Sequence, residues 1–423
     1  AAVASRDAVP RGCRRLGSGP AGPRMLEGAL CIELASVLAG PSVGQFLGEL
    51  GARVVKVESP VTRGDVTRTW KLANEGRDQD VTAYFSACNS GKESVVINMA
   101  TDEGRDLIHA LSRQADCVLA SFKPGDAEKL GVDGATLTSL NDRLVYAQIT
   151  GYGLDNPRLG YDAVVQAESG FQFMNGEPDS GPCKMPVALI DVITAHQVKE
   201  AMLLQLWRRE RTGKGGVVNA SLMGSAVTAL VNQATAYLIG GHVPQRLGSD
   251  HPTIAPYGTV FDTRDAGKQV TLGVGSDAQF RSLCAVIGRD AMAAEGSKFA
   301  RNPDRCANRR ELNETLSAAF REWDRDELLK ALAAAKIPSG AVNDMADAFK
   351  QPRAEELVIR DGEGQAVGLR QISFKGCPEG VDGQAPPLSP PPHFGEHTRE
   401  VLGELLGLDA VRLDELATKG VIG

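Results

Sequence analysis

The sequence lacks several patterns that mark particular classes of protein. No C-x-x-C pair occurs among its eight cysteines, and no apolar run reaches the roughly 18 residues that would span a bilayer. A P-loop and a G-x-S-x-G elbow are also missing. Scattered cysteines without close partners suit neither zinc nor a disulfide framework, so we expect reduced intracellular thiols.

The charge balance is mildly acidic. The net charge is −7, with 42% hydrophobic and 23% charged residues. This composition argues against a nucleic-acid partner and a membrane-surface protein, and an acidic ligand would need a local basic patch. The most apolar long stretch, 221–241, contains Ser, Thr, Asn and Gln, so it predicts a buried helix and no membrane span. A chain of 423 residues is long enough for two or three domains.

The first 25 residues differ from the rest. They carry five arginines against one acid, Asp7, with Ala, Ser, Gly and Pro between them. Arg-rich, acid-poor amino termini are typical of organelle transit peptides, which favours the mitochondrial matrix. A disordered tail, or upstream sequence before a start at Met25 in a cytoplasmic protein, is the alternative. We exclude residues 1–25 from the fold.

From Leu26 onward, strands and helices alternate. Residues 29–34 predict a strand, apolar side chains at helical spacing from Pro41 to Leu50 predict a helix, and residues 53–57 predict the next strand. Further strands are expected at 94–99, 116–122, 143–151 and 216–221, and helices at 103–113 and 191–211. Short right-handed crossovers of this kind make the sheet parallel. The predicted fold class is α/β, with a large doubly wound, Rossmann-like domain.

A smaller α+β domain is expected after a change in composition near Gly240. Residues 260–261 and 269–274 predict an antiparallel hairpin, followed by helices at 277–287, 309–323 and 325–335. Two short helices follow a proline-rich stretch at 386–392. The expected domain limits are 26–225 for the large domain, 226–345 for a linker helix and the small domain, and 346–423 for a return to the large domain.

Asp191 is the only charged residue between Lys184 and Lys199. A carboxylate inside an apolar stretch costs several kcal/mol unless it has partners, so Asp191 either caps the helix that it opens or takes part in chemistry. As an N-cap it would accept hydrogen bonds from free backbone N–H groups. In a chemical role the same donors and the helix dipole would keep the carboxylate ionised. The local sequence leaves both roles open.

Two segments match known binding motifs but lie in a sequence context that does not suit the function of the motif. Residues 273–278 fit G-x-G-x-x-A, but the preceding strand belongs to a hairpin and not to a βαβ unit, so no nucleotide site is expected there. Residues 393–397 fit H-x-x-E-H, but three prolines precede them and Gly395 interrupts them. That context predicts a helix N-terminus with solvated histidines and no metal site.

Two turns are better candidates for ligand binding. Residues 37–41 (Val-Leu-Ala-Gly-Pro) follow the first strand, and residues 121–125 (Ser-Phe-Lys-Pro-Gly) follow another, at the edge where open α/β sheets bind ligands. Lys123, with Lys129 nearby, would supply positive charge for phosphates. Plain helix capping and solvated lysines are the alternative interpretations.

Taken together, these and other segments resemble the class III CoA-transferases (CaiB/BaiF family), which include formyl-CoA:oxalate and succinate–hydroxymethylglutarate CoA-transferases and α-methylacyl-CoA racemase. The resemblance runs from Leu26 to nearly the end of the chain. Its segments are 37–41, Leu-Gly-Ala-Arg-Val-Val-Lys-Val-Glu at 50–58, Gly-Asp-Val-Thr-Arg at 64–68, Asn-Ser-Gly-Lys at 89–92, Ile-Thr-Gly-Tyr-Gly at 149–153, Gly-Tyr-Asp at 160–162, Arg-Thr-Gly-Lys-Gly at 211–215, His-Pro-Thr-Ile-Ala-Pro-Tyr at 251–257 and Gly-Glu-His-Thr at 395–398.

The resemblance implies that Asp191 is the nucleophile of a CoA-transferase that forms an aspartyl-CoA intermediate. It also implies acyl-CoA and small carboxylic acids as substrates, no permanently bound cofactor, and a homodimer of two interlocked rings. The implied CoA-binding residues are Leu38, Ala39, Asn98, Met99, Ala100, Thr101, Ser121, Phe122, Lys123, Lys129, Leu159, Gly160, Tyr161 and Asp162.

The chain departs from the family pattern in two places. Where many members carry an arginine for the CoA nucleotide it has Ser59, so Arg63 is the candidate replacement, and loss of that contact is the alternative. The mobile polyglycine loop of the formyl-CoA enzyme has no counterpart at 248–252. The resemblance therefore does not identify the two acids between which CoA is exchanged. By analogy with family members, small dicarboxylic acids such as succinate or glutarate are expected, with Arg246 as a candidate anchor for a second carboxylate.

Two other functions stay open. The racemase has His before Asp in a G-H-D motif, whereas this chain has Tyr161, and a tyrosine side chain ordinarily loses its proton only near pH ~10. A catalytically silent CoA-binding protein with the same fold is the second alternative. An aspartate retained in an apolar setting favours the transferase over both.

Overall fold

The computed structural model describes residues 25–374 and 387–423. These form two compact units. The first contains the described residues up to Tyr161, together with Ile190–Ser225 and those from Leu357 onward; the second contains Asp162–Leu189 and Ala226–Glu356. The arginine-rich residues 1–24, together with Cys13, Cys377 and Pro386, lie outside the described residues.

The strands are β1 (Leu30–Leu34), β2 (Arg53–Glu58), β3 (Lys92–Val96), β4 (Cys117–Ala120), β5 (Val145–Thr150), β6 (Gly216–Ser221), β7 (Tyr257–Asp262), β8 (Gln269–Gly273), β9 (Ser339–Ala341), β10 (Val358–Arg360) and β11 (Ala366–Leu369). The helices are α1 (Ala39–Glu49), α2 (Ala83–Ser86), α3 (Asp102–Gln114), α4 (Asp126–Lys129), α5 (Gly134–Leu140), α6 (Asp162–Glu168), α7 (Phe171–Met174), α8 (Leu189–Thr212), α9 (Leu222–Ala229), α10 (Val231–Gly240), α11 (Asp277–Val286), α12 (Asn302–Ala307), α13 (Arg309–Phe320), α14 (Arg325–Ala334), α15 (Met345–Ala348), α16 (Thr398–Leu406) and α17 (Ala410–Thr418).

The first unit contains a six-stranded sheet in the order β3-β2-β1-β4-β5-β6. Each pair of neighbouring strands in it is parallel, so the predicted parallel α/β sheet is confirmed. β1 is buried along its whole length, as expected where both faces of a sheet are covered. The order reverses between β1 and β4, where the chain first winds to one side and then to the other.

The predicted strand at 94–99 is displaced. β3 begins at Lys92 and ends at Val96, and Ile97 then forms an isolated bridge with Ile422. Lys92 enters the strand because carboxylate and carbonyl groups on neighbouring elements bind its ammonium group. Only tertiary contacts supply these partners, so hydrophobic periodicity alone placed the strand start two residues late.

The prediction of one buried helix at 221–241 is wrong. The stretch forms α9 and α10, which meet at an angle of 73°, and α10 contains no buried residue. The break coincides with Val231, whose φ of 42° is unfavourable for a β-branched residue. Among the described residues, no single helix is long and apolar enough to cross a membrane, and α9 with α10 passes that test only as a bent pair.

The second unit contains a three-stranded antiparallel sheet in the order β7-β8-β9. The predicted hairpin is therefore confirmed, with β9 as an additional strand. Its core includes Phe261, Phe280 and Phe320, which are almost fully buried. Gly273 ends β8, and Ser276 caps α11 by accepting a hydrogen bond from the Gln279 amide. The G-x-G-x-x-A segment thus joins an antiparallel strand to a capped helix.

The two predicted short helices near the carboxyl terminus are α16 and α17, and both lie in the first unit. Val401 and Leu402 of α16 and Leu416 of α17 belong to the same apolar core as β1 and β4. Full burial of a side chain of this size contributes about 1.5 to 3 kcal/mol. The end of the chain is therefore an integral part of the sheet domain.

Candidate active site at the carboxyl edge of the sheet

The two predicted ligand-binding turns lie close together where the strand order reverses. The Ser36 amide, just after β1, donates to the Ser121 hydroxyl, just after β4, at 3.1 Å. Doubly wound sheets bind ligands in the crevice at such a reversal. The segments containing Leu38, Ala39, Ser121, Phe122 and Lys123 therefore share one end of the first unit.

The start of α1 offers backbone donors at this edge. Leu38 precedes the helix and no side chain caps it, while Ala39 is buried in the first turn. Free N–H groups at a helix start, together with the positive end of its dipole, bind anionic groups such as phosphate or a developing oxyanion. The position suits the predicted contacts of Leu38 and Ala39 with CoA.

Asp191 lies in the first turn of α8 and is only 8% exposed. The helix begins two residues earlier, at Leu189, so the carboxylate lies within the first turn and not ahead of it. The helix dipole stabilises an ionised carboxylate at this position. The predicted helix start at Asp191 is therefore two residues later than the observed start.

The direction of α8 puts Asp191 beyond the carboxyl edge of the sheet. Near the end of α8, Arg209 pairs at 2.9 Å with Asp116, which immediately precedes β4. Gln197 accepts a hydrogen bond at 3.0 Å from Ser225, which follows β6. Asp191 is six residues closer to the helix start than Gln197, or about 9 Å at the helical rise of ~1.5 Å per residue.

α1 and α8 approach each other through Phe46 and Lys199. The Lys199 ammonium group, eight residues after Asp191, lies 5.2 Å from the centre of the Phe46 ring. Phe46 is itself seven residues after Ala39. Asp191 and Ala39 therefore each lie about two helical turns before this contact.

The other predicted CoA-binding residues are spread along the same edge. Arg63 is exposed in the loop after β2, residues 98–101 follow β3 with Thr101 as the cap of α3, and Lys129 is exposed in α4. Gly160 packs against Gly151 after β5, so closely that a Cβ at Gly151 would lie 2.6 Å from the Gly160 backbone. A ligand that contacts residues after β2, β3, β4 and β5 would have to be extended.

Exposure separates these residues into two groups. Lys123 and Tyr161 are exposed, as are Leu159 and Ala100, whereas Asn98, Met99, Ser121 and Phe122 are half-buried. Lys129 pairs with Asp126 at 3.2 Å. Asp162 belongs to the second unit, where it accepts a hydrogen bond from Gln166 at 2.6 Å.

Sequence reasoning missed a chain of four buried charges beneath this edge. Glu33 on β1, Lys56 on β2, Asp65 after β2 and Lys92 on β3 are each at most 3% exposed. Lys56 lies 3.0 Å from both Glu33 and Asp65, and Lys92 lies 2.8 Å from Glu33. We refer to these four residues as the buried ion chain.

The signal for two of these residues was present in the sequence. Glu33 stands in the strand Leu-Cys-Ile-Glu-Leu and Lys56 in Val-Val-Lys-Val, so each is a charge inside an apolar run, like Asp191. Burial of an ion without a partner is costly, and the same argument that selected Asp191 applies to both. What the sequence does not reveal is that they pair with each other.

Arg246, the candidate anchor for a second carboxylate, lies in the second unit. One guanidinium nitrogen donates to the Phe173 carbonyl oxygen at 3.0 Å. Its buried Nε has no hydrogen-bond partner among the described residues. A guanidinium group with a free donor is suited to a carboxylate.

Within the described ranges, no group of three or more His, Cys, Asp and Glu side chains is arranged to hold a metal ion. In the H-x-x-E-H segment, His393 is exposed and its Nδ1 lies 2.6 Å from a carboxylate oxygen of Asp80. His397 accepts a hydrogen bond from the Ser94 amide. The two histidines therefore face different partners just before α16.

Three comparisons with known proteins agree with one another. The profile described as CoA-transferase family III matches residues 26–398. A succinate–glutarate CoA-transferase of Agrobacterium fabrum is 37% identical over 392 residues, which are 90% of this chain and 95% of that protein. The human succinyl-CoA:glutarate CoA-transferase is 32% identical over 94% of this chain and 90% of its own. The crystal structure of a CAIB/BAIF family protein from Brucella suis, 37% identical, matches with a TM-score of 0.78 over 91% of this chain and 100% of its own.

Proposed function

The chain belongs to CoA-transferase family III, and on that premise we propose that it moves coenzyme A from an acyl-CoA to a free carboxylic acid through a covalent intermediate on Asp191. The acids that we propose are small dicarboxylic acids of the succinate and glutarate class, since both occur in the names of relatives. The observation that carries the proposal is the buried Asp191 carboxylate in the first turn of α8, beyond the carboxyl edge of the sheet.

The proposed reaction consists of four acyl transfers that balance. The Asp191 carboxylate attacks the carbonyl carbon of the donor thioester, a C–O bond forms, and the C–S bond breaks to give a mixed anhydride and CoA thiolate. The thiolate attacks the aspartyl carbonyl, which releases the donor acid and leaves an aspartyl-CoA thioester. The acceptor carboxylate then attacks this thioester, and the C–S bond breaks to give a second anhydride and CoA thiolate. The thiolate attacks the acceptor's carbonyl carbon, which gives the new acyl-CoA and restores the Asp191 carboxylate.

An aspartate suits this route because it is ionised at neutral pH and needs no base to activate it. Dividing the exchange into steps lowers each barrier, and the overall free-energy change is small because one thioester replaces another. Oxyanions form on the attacked carbonyl groups. Backbone N–H groups at the starts of α1 and α8 are candidates to stabilise them.

We assign the CoA moiety to the carboxyl edge of the sheet. Leu38 and Ala39 at the start of α1 and Ser121–Lys123 after β4 would form the centre of the site. Arg63 would take the place of the family arginine missing at Ser59. Its exposed side chain and its φ of 55°, in the left-handed region that only a minority of residues adopt, support a functional role.

We also propose that the active form is a homodimer, as the family resemblance implies. Exposed apolar side chains support this part of the proposal. Leu238 and Ile239 of α10 are 75% and 86% exposed, which is unusual for adjacent large aliphatic residues. A second copy of the chain that covers α10 would remove this surface from water.

The catalytic proposal is tested with Asp191→Asn, whose identity is verified by intact mass to exclude deamidation. We expect turnover of succinyl-CoA with glutarate to fall by at least about 1,000-fold, because an amide is not a nucleophile for the thioester. Binding of free CoA should stay within about threefold of wild type. Glu200→Gln, an exposed acid on the same helix, is the matched control and should keep full activity. Undiminished turnover in the verified Asn variant would refute the assignment.

Hydroxylamine trapping distinguishes a transferase from a racemase. Wild-type protein incubated with acyl-CoA and hydroxylamine should acquire a hydroxamate at Asp191, detected by peptide mass spectrometry. A racemase would instead exchange the α-hydrogen of a 2-methylacyl-CoA with deuterium from solvent and leave Asp191 unmodified. CoA binding with neither reaction would favour a catalytically silent protein.

A further inference from the structure

The buried ion chain is costly for the fold. Moving four charged groups out of water carries a desolvation cost of several kcal/mol per ion, which mutual attraction offsets only in part. Apolar side chains of similar volume often stabilise a protein at least as well. Because apolar replacements would serve stability as well, stability alone does not explain why the two carboxylates and two lysines are present.

Three of the four ions bind the backbone of one turn. Both carboxylate oxygens of Asp65 accept from the Val37 amide at 3.2 Å. Lys56 donates to the Ala35 carbonyl oxygen at 2.9 Å, and Lys92 donates to the Pro41 carbonyl oxygen at 2.9 Å. The three ions reach three different residues of the segment 35–41, which contains the β1–α1 connection and the first residues of α1.

This turn has an unfavourable backbone conformation. Val37 has a φ of 73°, and a β-branched residue in the left-handed region persists only where its surroundings impose it. The Asp65 carboxylate binds the amide of this same residue. Although burial by itself raises the pKa of Asp65, the Lys56 ammonium and the Thr67 amide outweigh it and lower the pKa, so the carboxylate is ionised.

We propose that Asp65, Lys56, Glu33 and Lys92 are positioning residues that hold the turn 35–41 in the conformation that binds the CoA moiety. The inference rests on the proposed function, because it gives the turn its ligand. Glu33 touches no part of the turn in this scheme, and acts by holding the two lysines. The four residues are buried and bound to one another, so we expect them to affect CoA binding only through the conformation of the turn.

Asp65→Asn is the principal test, and Asp116→Asn is its matched control. Asp116 also pairs with a cation, Arg209, and accepts from a backbone amide, that of Leu30 at 2.9 Å, but it lies at the opposite edge of the same sheet. Both variants remove one charge without changing side-chain size. Only Asp65→Asn changes a contact with the turn 35–41.

The measurement is the dissociation constant of free CoA by titration calorimetry on the full-length protein. We expect Asp65→Asn to weaken CoA binding about tenfold or more, because the amide loses both the charge and one of the two acceptor oxygens that face the Val37 amide. Asp116→Asn should stay within about twofold of wild type. The folded fraction of each variant, measured by urea unfolding, corrects the apparent dissociation constant for any loss of stability.

Thr67→Val provides a milder second test if Asp65→Asn does not fold. The Thr67 hydroxyl donates to Asp65 at 2.8 Å, and valine removes this bond while keeping the shape and all four ions. We expect CoA binding to weaken about threefold. Unchanged binding in Thr67→Val, or equal effects of Asp65→Asn and Asp116→Asn, overturns the proposal.

The two proposals fail in different ways. Wild-type protein that binds CoA without exchanging it between acids contradicts the transferase, whereas the dissociation constants of the variants still decide the positioning role. Wild-type protein that exchanges CoA while Asp65→Asn binds CoA like the control contradicts only the positioning role. Wild-type protein that does not bind CoA contradicts both.

Discussion

At the scale of single residues, Lys199 differs from the other buried lysines of the first unit in the groups that it contacts. Lys56 and Lys92 each contact a carboxylate, whereas the Lys199 ammonium contacts the Gln371 side-chain oxygen at 3.3 Å and the face of Phe46. Burial lowers the pKa of Lys199 to about 8, and the negative charge of Glu49 offsets only part of this effect. The folded protein therefore releases this proton at a lower pH than the unfolded chain does.

The lowered pKa of Lys199 predicts how stability changes with pH. Below pH 8 both the folded and the unfolded protein carry the proton of Lys199. Between about pH 8 and 10 the unfolded chain keeps the proton, because an ordinary lysine has a pKa near ~10.4, whereas the folded protein releases it. The unfolded state then binds more protons, so the contribution of Lys199 to stability rises with pH.

We expect the stability of wild type relative to Lys199→Met to increase by about 2 to 3 kcal/mol between pH 7.5 and pH 10, at ~1.4 kcal/mol per pKa unit. Urea unfolding at several pH values measures this difference. Lys214→Met, which removes an exposed lysine, is the control, and its difference from wild type should stay flat. A pH-independent difference for Lys199→Met would contradict the lowered pKa.

Charges within apolar runs could be recognised from the sequence, but their partners could not. Asp191, Glu33 and Lys56 all stand in such runs. Glu33 is separated by 23 residues from Lys56 and by 59 from Lys92. Pairing across strands depends on sheet order, which no local pattern contains.

At the scale of secondary-structure elements, α1 is the helix that the site depends on most. All its residues are buried, and it begins at the carboxyl edge of the sheet. Gly44 faces the buried ion chain, and a Cβ there would overlap the Glu33 carboxylate and lie 3.3 Å from the Lys92 ammonium. Glycine therefore lets the helix approach β1 closely enough to cover these ions.

A pair of alanine substitutions tests this close approach. Gly44→Ala should destabilise the protein by several kcal/mol, because neither the helix nor the ion-paired carboxylate has room to move. Gly48→Ala, one turn further along the same helix, should be neutral or stabilising by up to about 1 kcal/mol, because its nearest neighbour would be Val54 at an ordinary 3.6 Å. Chemical unfolding of both variants measures the contrast, and equal stabilities would contradict it.

Most elements could be predicted because local signals mark their ends. Gly51, with a φ of 103°, follows α1 as expected for a left-handed helix end, and the apolar spacing of α3 and α11 matches the structure within a few residues. Two of the predicted elements differ from the structure. β3 extends to Lys92 because ions elsewhere bind it, and the 221–241 stretch breaks at Val231.

At the scale of the whole molecule, the exposed apolar surface of α10 predicts self-association. In sedimentation experiments we expect wild type to have twice the mass of one chain. Ile239→Asp should lower the dimer population at least tenfold, because a charge buried in an apolar interface costs several kcal/mol. Val411→Asp, which changes a 68% exposed residue of α17, is the control and should remain dimeric. A monomeric wild type, or equal behaviour of the two variants, would contradict the prediction.

The sequence by itself determined the order of strands and helices, the parallel sheet, the family and the candidacy of Asp191. Each of these follows from local spacing, from a charge in an apolar run or from an ordered set of short segments. Tertiary structure alone decided that Glu33, Lys56, Asp65 and Lys92 pair with one another and hold the turn at 35–41. These contacts join residues far apart in the chain, so they exist only after the strands have assembled in the order β3-β2-β1-β4.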